Sequence, residues 1–325
     1  MKVLVVGAGA TGQVYGHHLE LSGDNLTFFV KPKYKATVSG PLSLIETGFR
    51  KQRRHLMGPH QVIDSIAQVA AERWDEVWLA VSATAITGSW LHDIIAAARD
   101  AVIVSLQPGF TARTQLLECT DASKLVTGAI AFLAWQTPLP GDTATSIGIQ
   151  YWLPPLARSQ FSGPTNACSS IVKRLNRGGC PAQQTEDAAK WAAIPSAIMM
   201  PHIAGLELES WSLTAFYSSN TLRLSITASC EAIRLSSAHF RTKMSLIPYL
   251  LRPAFMRIFI RMAQRWAPFN LEAYLAYHFS KVGDQTRELL GQYIETAAAA
   301  DLPSTSIESL RDRLLVYASG LDTDR

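Results

Sequence analysis

Three glycines near the amino terminus have the spacing of a phosphate-binding turn. The apolar run at 2–6 ends at Gly7, and the chain continues through Gly9 and Gly12 into a helix-like stretch. In this G-x-G-x-x-G spacing, the first glycine permits a tight turn, the second leaves room for a pyrophosphate, and the third lets the helix approach the strand. The helix would also present free N–H groups and the positive end of its dipole to the phosphates. The residues that we predict to bind a nicotinamide dinucleotide here are Gly7, Gly9, Ala10, Thr11 and Gly12.

The end of the second apolar run indicates which nicotinamide coenzyme the site prefers. This run closes at Val30 and is followed by the basic stretch KPKYK at 31–35, which contains no carboxylate. An NAD site usually has Asp or Glu at this point to bind the ribose 2′-hydroxyl, whereas cationic side chains suit the 2′-phosphate of NADP. Lys31 directly follows the strand, so we predict that it binds this phosphate and that the cofactor is NADP(H). The alternative is a solvated basic loop, which would leave the preference open.

Two further apolar runs, at 76–83 and 101–107, are typical of parallel strands. Both are continuously apolar and end in polar or turn residues, as expected of strands that are covered on both faces. The segment between them has the spacing of an amphipathic helix. Because ligands of such sheets bind outside the carboxyl ends of the strands, we add Ser82, Gln107 and Gly109 to the predicted cofactor-binding residues.

The character of the chain changes at about residue 185. Later strands are predicted over 125–135 and 146–152, whereas the apolar residues beyond 185 recur at helical spacing. The predicted fold class is therefore α/β, with an N-terminal Rossmann-type doubly wound sheet followed by an all-helical C-terminal domain. We expect a dinucleotide-binding domain at 1–184 and a helical substrate and dimerisation domain at 185–325.

The bulk composition excludes several classes of protein. The net charge of +4 is modest, and the four cysteines lack C-x-x-C spacing, which argues against zinc and a disulfide framework and favours a reducing compartment. No apolar run reaches the roughly 18 residues needed to cross a bilayer. The basic run at 50–54 lacks interleaved aromatics and is interpreted as a solvated hairpin. We expect a cytoplasmic protein with no metal, no nucleic-acid partner and no integral membrane segment.

An apolar segment with several arginines, at 246–266, has three interpretations. It could be an amphipathic helix on a membrane surface, a buried helix, or a dimer contact whose arginines reach solvent. Packing within the protein or between subunits is favoured over the membrane. The apolar second half of the chain also makes a homodimer the expected assembly.

Several segments of the chain are similar to one known family. These are GAGATGQVYGHHL at the start, LQPGFT, VTGAIAF, EDAAKW, CEAIRL and the C-terminal stretch HFSKVGDQTRELLGQYIETAAAADLPST. On these segments the chain resembles the ketopantoate reductases (2-dehydropantoate 2-reductases and their relatives) over most of its length. The resemblance implies a Rossmann domain, a helical second domain, a substrate between them, and NADPH as the source of hydride.

The chain departs from the family pattern at the positions of the family's catalytic and substrate-binding residues. The family's catalytic lysine, two residues after the tryptophan of EDAAKW, falls on Ala193, and its substrate-binding asparagines fall on Ala197 and Pro201. The asparagine after the fourth strand is replaced by Pro108, and the lysine at the end of the preceding strand by Ser82. Reduction of a ketone needs a proton source for the developing alkoxide, which alanine cannot supply. We therefore expect the ketopantoate reaction to be impaired, leaving either another carbonyl or imine substrate or a cofactor-binding regulator without catalysis.

Four side chains could replace the missing acid. His278 and Lys281, together with Gln285, have i, i+3, i+7 spacing on a predicted long helix and would share one face. His202 follows a proline on the helix that carries the family lysine, and Lys190 lies nearly one turn before that lysine. The alternative for each is an ordinary role, as a surface residue or a hydrogen-bonded structural histidine. Glu231, within CEAIRL, matches a glutamate of the family and could be structural.

Overall fold

The computed structural model describes residues 1–107, 109–142, 146–243 and 247–322. Contacts between Cα atoms divide the chain into two compact units, Met1–Trp191 and Ala192–Arg325. All the strands of the described residues belong to the first unit, and the second is helical. The predicted α/β fold class is confirmed. Pro108, the residue at the position of the family asparagine, lies outside the described residues.

The strands form two sheets in the first unit. In chain order they are β1 (Lys2–Val6), β2 (Asn25–Phe29), β3 (Leu42–Thr47), β4 (Gln52–Met57), β5 (Gln61–Ile63), β6 (Glu76–Leu79), β7 (Val102–Ser105), β8 (Leu125–Ala129), β9 (Leu133–Thr137), β10 (Gly148–Trp152), β11 (Ser159–Ser162) and β12 (Ala182–Gln184). The larger sheet has the order β12-β11-β8-β7-β6-β1-β2-β5, and the smaller has the order β4-β3-β10-β9.

Six strands of the larger sheet have the doubly wound arrangement. Strands β5, β2, β1, β6, β7 and β8 are mutually parallel, and their order is that of a dinucleotide-binding sheet. Strand β11 is antiparallel to β8 and continues the sheet to β12. The order of the strands reverses between β1 and β6, so a ligand crevice is expected at their carboxyl ends.

The smaller sheet takes part of the single strand expected over 125–135. The apolar run at 125–135 is two strands, because β8 pairs in the larger sheet while β9 pairs with β10 in the smaller one. The basic run at 50–54 lies in the predicted hairpin, but Arg53 and Arg54 belong to strand β4 itself. Arg53 pairs with Glu46 across the hairpin, so part of this positive charge is compensated.

Alternate residues of β1 pack into two separate cores. Val3 and Val5 belong to a cluster with residues of the smaller sheet, whereas Leu4 and Val6 belong to a cluster on the opposite face. All four side chains are at most 2% exposed. A strand that is buried on both faces must be apolar throughout, which explains the unbroken run at 2–6.

Helices surround the larger sheet and make up the second unit. In chain order they are α1 (Ala10–Leu21), α2 (Lys35–Val38), α3 (Ile66–Ala70), α4 (Ser89–Ala98), α5 (Ala112–Leu117), α6 (Thr165–Arg177), α7 (Ala188–Leu208), α8 (Leu213–Ser218), α9 (Thr221–His239), α10 (Pro253–Trp266), α11 (Leu271–Lys281), α12 (Gly283–Ala300) and α13 (Thr305–Asp322). Among the described residues, none of these helices combines the length and the apolar character of a membrane span.

The prediction that one long C-terminal helix contains both His278 and Gln285 is wrong. Helix α11 ends at Lys281, and α12 begins at Gly283 after Val282, whose φ of −119° and ψ of 25° interrupt the helical ladder. His278 and Lys281 therefore share α11, whereas Gln285 lies on α12. The i, i+3, i+7 relation requires one continuous helix and does not apply here.

Glu231 has a structural role in the second unit. Its side chain on α9 is buried, and its carboxylate accepts hydrogen bonds at 3.0–3.1 Å from the backbone N–H groups of Ser306 and Ile307. These donors belong to the first turn of α13, which has no partners for them within the helix. Glu231 therefore caps α13 from another helix, which confirms the structural interpretation of this residue.

Candidate functional site

The turn between β1 and α1 has the backbone conformation that its glycines permit. Gly7 has a φ of +98°, which L side chains rarely adopt, and a Cβ there would lie 2.7 Å from the carbonyl oxygen of Ala80. Gly12 faces the same turn, because a Cβ on it would lie 2.1 Å from the Gly7 carbonyl oxygen. Neither position could hold a larger residue without displacing backbone atoms. These two glycines are therefore required by the turn itself.

Gly9 differs from its two neighbours. A Cβ on Gly9 would meet no atom within 4 Å, although Gly9 is the N-cap of α1. Among the described residues, no side chain caps this end of the helix. The N–H groups of the first turn, which include Ala10, Thr11 and Gly12, have no acceptor within the helix. Open space beside Gly9, at a helix end whose N–H groups are uncapped, suits an anionic ligand.

The other predicted cofactor residues follow the strands on either side of β1. Backbone hydrogen bonds join Gly7 to Phe29 at 2.9 Å and Ala80 to Val6 at 2.9 Å. The ends of β1, β2 and β6 are therefore level at one edge of the sheet, where the glycine turn, Lys31 and Ser82 all begin. This edge brings together the predicted residues of three separate segments of the chain.

The basic stretch after β2 contains one ion pair that the sequence did not reveal. The Lys35 ammonium lies 2.9 Å from the carboxylate of Asp64, which directly follows β5. Lys33 lies over the ring of Tyr34, 4.9 Å from its centroid. Lys31 is exposed and has no ionic partner among the described residues. A carboxylate is thus close to this stretch after all, but it pairs with Lys35, and neither Lys31 nor Lys33 has an ionic partner among the described residues.

Gln107 is buried and connects two strand ends. Its amide nitrogen donates to the carbonyl oxygens of Leu79 at 2.7 Å and Val81 at 2.9 Å, and its amide oxygen accepts from Ser105 and Leu106. A primary amide has two donor hydrogens and two acceptor lone pairs, so the side chain is fully used. Gln107 therefore fixes the edge next to β6, and only its main chain could contact a ligand.

Ser82 and Gly109 complete the predicted edge. Ser82 precedes a 3-10 turn at 83–85, and its hydroxyl lies 3.0 Å from the hydroxyl of Thr84. Gly109 follows β7 and has a φ of +106°. The hydroxyl pair was not anticipated, since a two-residue spacing after a strand gives no recognisable signal. It provides donors and acceptors next to the point where the strand order reverses.

His202 is held as a structural histidine in the second unit. Its Nδ1 lies 2.8 Å from the carbonyl oxygen of Ile198 and 3.2 Å from the hydroxyl of Ser229. A carbonyl only accepts, so Nδ1 carries the proton, and Nε2 is buried without a partner among the described residues. Burial lowers the pKa of His202 to about 4, and the hydrogen bond to Ile198 opposes this shift. The ring is neutral at pH 7 and holds no proton that it readily donates.

His278 and Lys281 lie on one helix but in different environments. The His278 ring stacks on Tyr274 with 5.4 Å between centroids, and burial, aided by the charge of Lys281, lowers the pKa of His278. The Lys281 ammonium is exposed, hydrogen bonds to the Tyr277 hydroxyl and lies 3.9 Å from the centroid of that ring. Of His202, His278 and Lys281, only Lys281 presents an ammonium group to solvent.

The positions of the family's polar residues on α7 are apolar and buried. Ala193 is 6% exposed and Ala197 is completely buried. Lys190 is exposed, and its backbone N–H donates to the Asp187 carboxylate. Among the described residues, no cluster of three or more histidine, cysteine or acidic side chains could hold a metal ion.

Comparisons with known proteins identify the fold. No protein-family model and no curated protein sequence matches the chain. The 2-dehydropantoate 2-reductase of Geobacter metallireducens has a TM-score of 0.75 at 16% identity, covering 98% of this chain and 100% of that one. The PanE/ApbA family ketopantoate reductase of Ralstonia eutropha has a TM-score of 0.72 at 15% identity, with 100% of both chains covered.

A third solved structure with the same fold is that of an enzyme with a different activity. It is the ternary structure of a D-mandelate dehydrogenase with NADH and anilino(oxo)acetate, with a TM-score of 0.74 at 11% identity and 99% of both chains covered. Likeness at such low identity is informative about architecture rather than chemistry. These likenesses show that the chain has, over nearly its whole length, the fold of the ketopantoate reductases.

Proposed function

We propose that the protein is an oxidoreductase that transfers a hydride between NADP(H) and a carbonyl or imine carbon of a small substrate. The observation that carries this proposal is the turn at 7–12, where Gly7 and Gly12 are sterically required but Gly9 opens onto free space at an uncapped helix. NADP(H), when bound, supplies the hydride. The solved structures of the same fold include reductases and a dehydrogenase, which supports the reaction class.

The residues after β1, β2, β6 and β7 fit a dinucleotide. The N–H groups of Ala10, Thr11 and Gly12 would bind the pyrophosphate, and Lys31 would bind the 2′-phosphate that distinguishes NADP from NAD. Ser82 and the main chain at Gln107 and Gly109 would line the site further along the edge. The uncompensated charge of Lys31 supports NADP(H) over NAD(H), since the nearby Asp64 is already paired with Lys35.

The proton for the developing alkoxide is proposed to come from Lys281. Its ammonium is exposed and lies over the Tyr277 ring, which orients it. Among the described residues, no carboxylate forms an ion pair with it. His278 and His202 are the weaker candidates, because burial lowers the pKa of each and keeps the ring neutral. With Ala193 at the position of the family lysine, we expect ketopantoate to be turned over poorly and another small 2-oxo acid, ketone or imine to be preferred.

A second candidate is a cofactor-binding regulator without catalysis. The observation that favours it is that Ala193 and Ala197 are buried and carry no polar group, whereas the glycine turn is intact. The rest of the proposal stays the same in both cases. It comprises a dinucleotide domain at 1–184, a helical domain at 185–325, a cytoplasmic location, no nucleic-acid partner and a homodimer.

One pair of measurements separates these candidates. Calorimetric titration with NADPH and NADH tests the site, and loss of NADPH absorbance across a panel of 2-oxo acids, ketones and imines tests the reaction. Tight NADPH binding with turnover of a substrate other than ketopantoate is the expected result, and Lys281→Met should then lower kcat more than it changes KM. Binding without turnover of any compound would favour the regulator. If neither coenzyme produced heat, both candidates would be wrong.

A further inference from the structure

Helix α10 exposes a continuous row of large apolar side chains. We call this row the α10 stripe, which consists of Phe255, Ile258, Phe259, Met262 and Trp266. Each of the five is between 43% and 65% exposed. Their spacing of i, i+3, i+4, i+7 and i+11 places them on one side of the helix. The opposite side is buried through Met256 and Ile260, so the stripe is not the face that packs into the second unit.

The exposed apolar area continues beyond the helix. Tyr249 and Leu250, in the turn just before α10, are 67% and 64% exposed. With about 200 Å² for each large apolar side chain, the exposed parts of these seven residues amount to roughly 800 Å². A monomer seldom presents an apolar patch of this size, and about 800 Å² is what each partner contributes to a standard protein–protein interface.

The composition of the stripe and its surroundings is that of a protein interface. Aromatic residues, methionine and arginine are enriched in such interfaces, whereas lysine and acidic residues are depleted. Between 247 and 270 the chain has four arginines and no aspartate, glutamate or lysine. Three of the arginines, at 257, 261 and 265, are spaced four apart and form a polar rim along one edge of the stripe.

Part of this rim is held in place before any partner binds. The Arg257 guanidinium donates to the Tyr217 carbonyl oxygen at 2.8 Å, and the Arg261 guanidinium lies 4.9 Å from the centroid of the Tyr217 ring. Only Arg252 and Arg265 lack a partner among the described residues. Two free basic side chains near an anionic membrane would contribute only about 2 kcal/mol, so the charges do not favour a lipid surface.

We infer that the α10 stripe is the surface through which two copies of this chain associate. The same patch on each copy would cover the other about a two-fold axis, as in most homodimers. Phe259 and Trp266 would be the central anchors, because large aromatic side chains provide most of the energy of an interface. The arginines would stay at the solvated rim. This inference gives the proposed homodimer its surface, and it does not depend on the dinucleotide chemistry.

Sedimentation equilibrium of the full chain over a range of concentrations tests the inference. The wild-type protein should sediment as a dimer of the 35.6 kDa chain. Phe259→Glu and Trp266→Glu should each raise the dissociation constant about 30-fold or more. Leu315→Glu is the matched control, because Leu315 is 52% exposed on another helix of the same unit and should leave the dimer intact. Circular dichroism and NADPH calorimetry would establish that each variant is folded.

Three results would overturn the inference. One is a wild-type protein that stays monomeric at every concentration, and another is a dimer that neither substitution weakens. The third is a monomer that floats with phosphatidylserine vesicles and loses this binding on Phe259→Glu, since the stripe would then be a membrane surface. The NADPH titration is independent of all three, so failure of this inference is distinguishable from failure of the proposed reaction.

Discussion

The two units differ in the kind of chemical group that could bind a ligand or take part in a reaction. In the first unit, the candidate ligand groups are backbone N–H groups, made accessible by Gly9 and held by the contacts of Gly7 and Gly12. In the second unit, chemistry would depend on side chains, and the positions that the family resemblance makes polar hold Ala193 and Ala197. A backbone site needs only its conformation, whereas a side-chain site is lost by one substitution while the fold persists. The fold alone therefore says more about cofactor binding than about the reaction.

The largest expected effect comes from the backbone requirement of the first unit. Gly12→Ala should lower the free energy of unfolding by about 3 kcal/mol or more, because its Cβ would lie 2.1 Å from a backbone oxygen that cannot move aside. Gly9→Ala is the matched control in the same turn, and it should change stability little while weakening NADPH binding. Urea unfolding and calorimetry measure the two quantities. Equal destabilisation by both substitutions would contradict the distinction between a steric and a ligand-facing glycine.

Acid should destabilise both units, because each contains a histidine that is kept neutral. Burial, with the neighbouring His18 and His55, lowers the pKa of His17 to about 4, and burial lowers that of His202 to about 4. The unfolded chain, with a histidine pKa of about 6.5, binds more protons between these values. The free energy of unfolding that these two neutral histidines contribute is therefore fully present above pH 6.5 and is lost as the pH falls towards 4.

The size of this acid effect can be measured by urea unfolding at pH 7 and pH 5. Each of the two histidines should account for a loss of about 2 kcal/mol at pH 5. Replacing one of them with glutamine should remove its share of the pH dependence, so His17→Gln and His202→Gln can be compared directly. If only His17→Gln flattened the dependence, the acid response would belong to the first unit alone.

The second unit should respond to the loss of a buried cap. Glu231→Ala removes the acceptor for two backbone N–H groups of α13 and should lower the free energy of unfolding by about 2 kcal/mol. Glu295→Ala, on α12, is the control, because Glu295 makes no hydrogen bond or ion pair among the described residues. NADPH binding should be unchanged in both variants. Weaker NADPH binding by Glu231→Ala would show that the site of the first unit depends on the second.

The features that the sequence predicted correctly are local along the chain. The glycine turn, the strand before it and the helix after it lie within 2–21, where spacing alone determines which residues must be small. The smaller sheet was not predicted, because β3 pairs with β10 about a hundred residues later and no local pattern encodes that pairing. Asp64 was missed for the same reason, since its ion pair with Lys35 spans 29 residues.

The errors in the candidate site have equally specific causes. The apolar spacing continues across Val282, so the sequence does not indicate that α11 and α12 are separate helices. Gln107 was placed correctly near a strand end. Its side-chain amide, however, is fully hydrogen bonded to Leu79, Val81 and its own neighbours, so it has no donor or acceptor left for a ligand. Position along the chain indicates which residues reach an edge, and only the folded structure indicates which donors remain unused there.

The smallest expected effect concerns the choice between NADP and NAD. Lys31→Ala should raise the dissociation constant of NADPH about fivefold, because one exposed lysine at a phosphate provides roughly 1 kcal/mol. The dissociation constant of NADH should not change, since NADH lacks the 2′-phosphate. Lys33→Ala is the control, because Lys33 lies two residues from Lys31 with the same charge, and its ammonium lies over the Tyr34 ring. Calorimetry at two salt concentrations would measure both coenzymes, and the Lys31 effect should shrink at the higher salt. An equal loss of NADH affinity would mean that Lys31 supports the loop rather than the phosphate. Backbone N–H groups, and not this side chain, would then recognise the coenzyme.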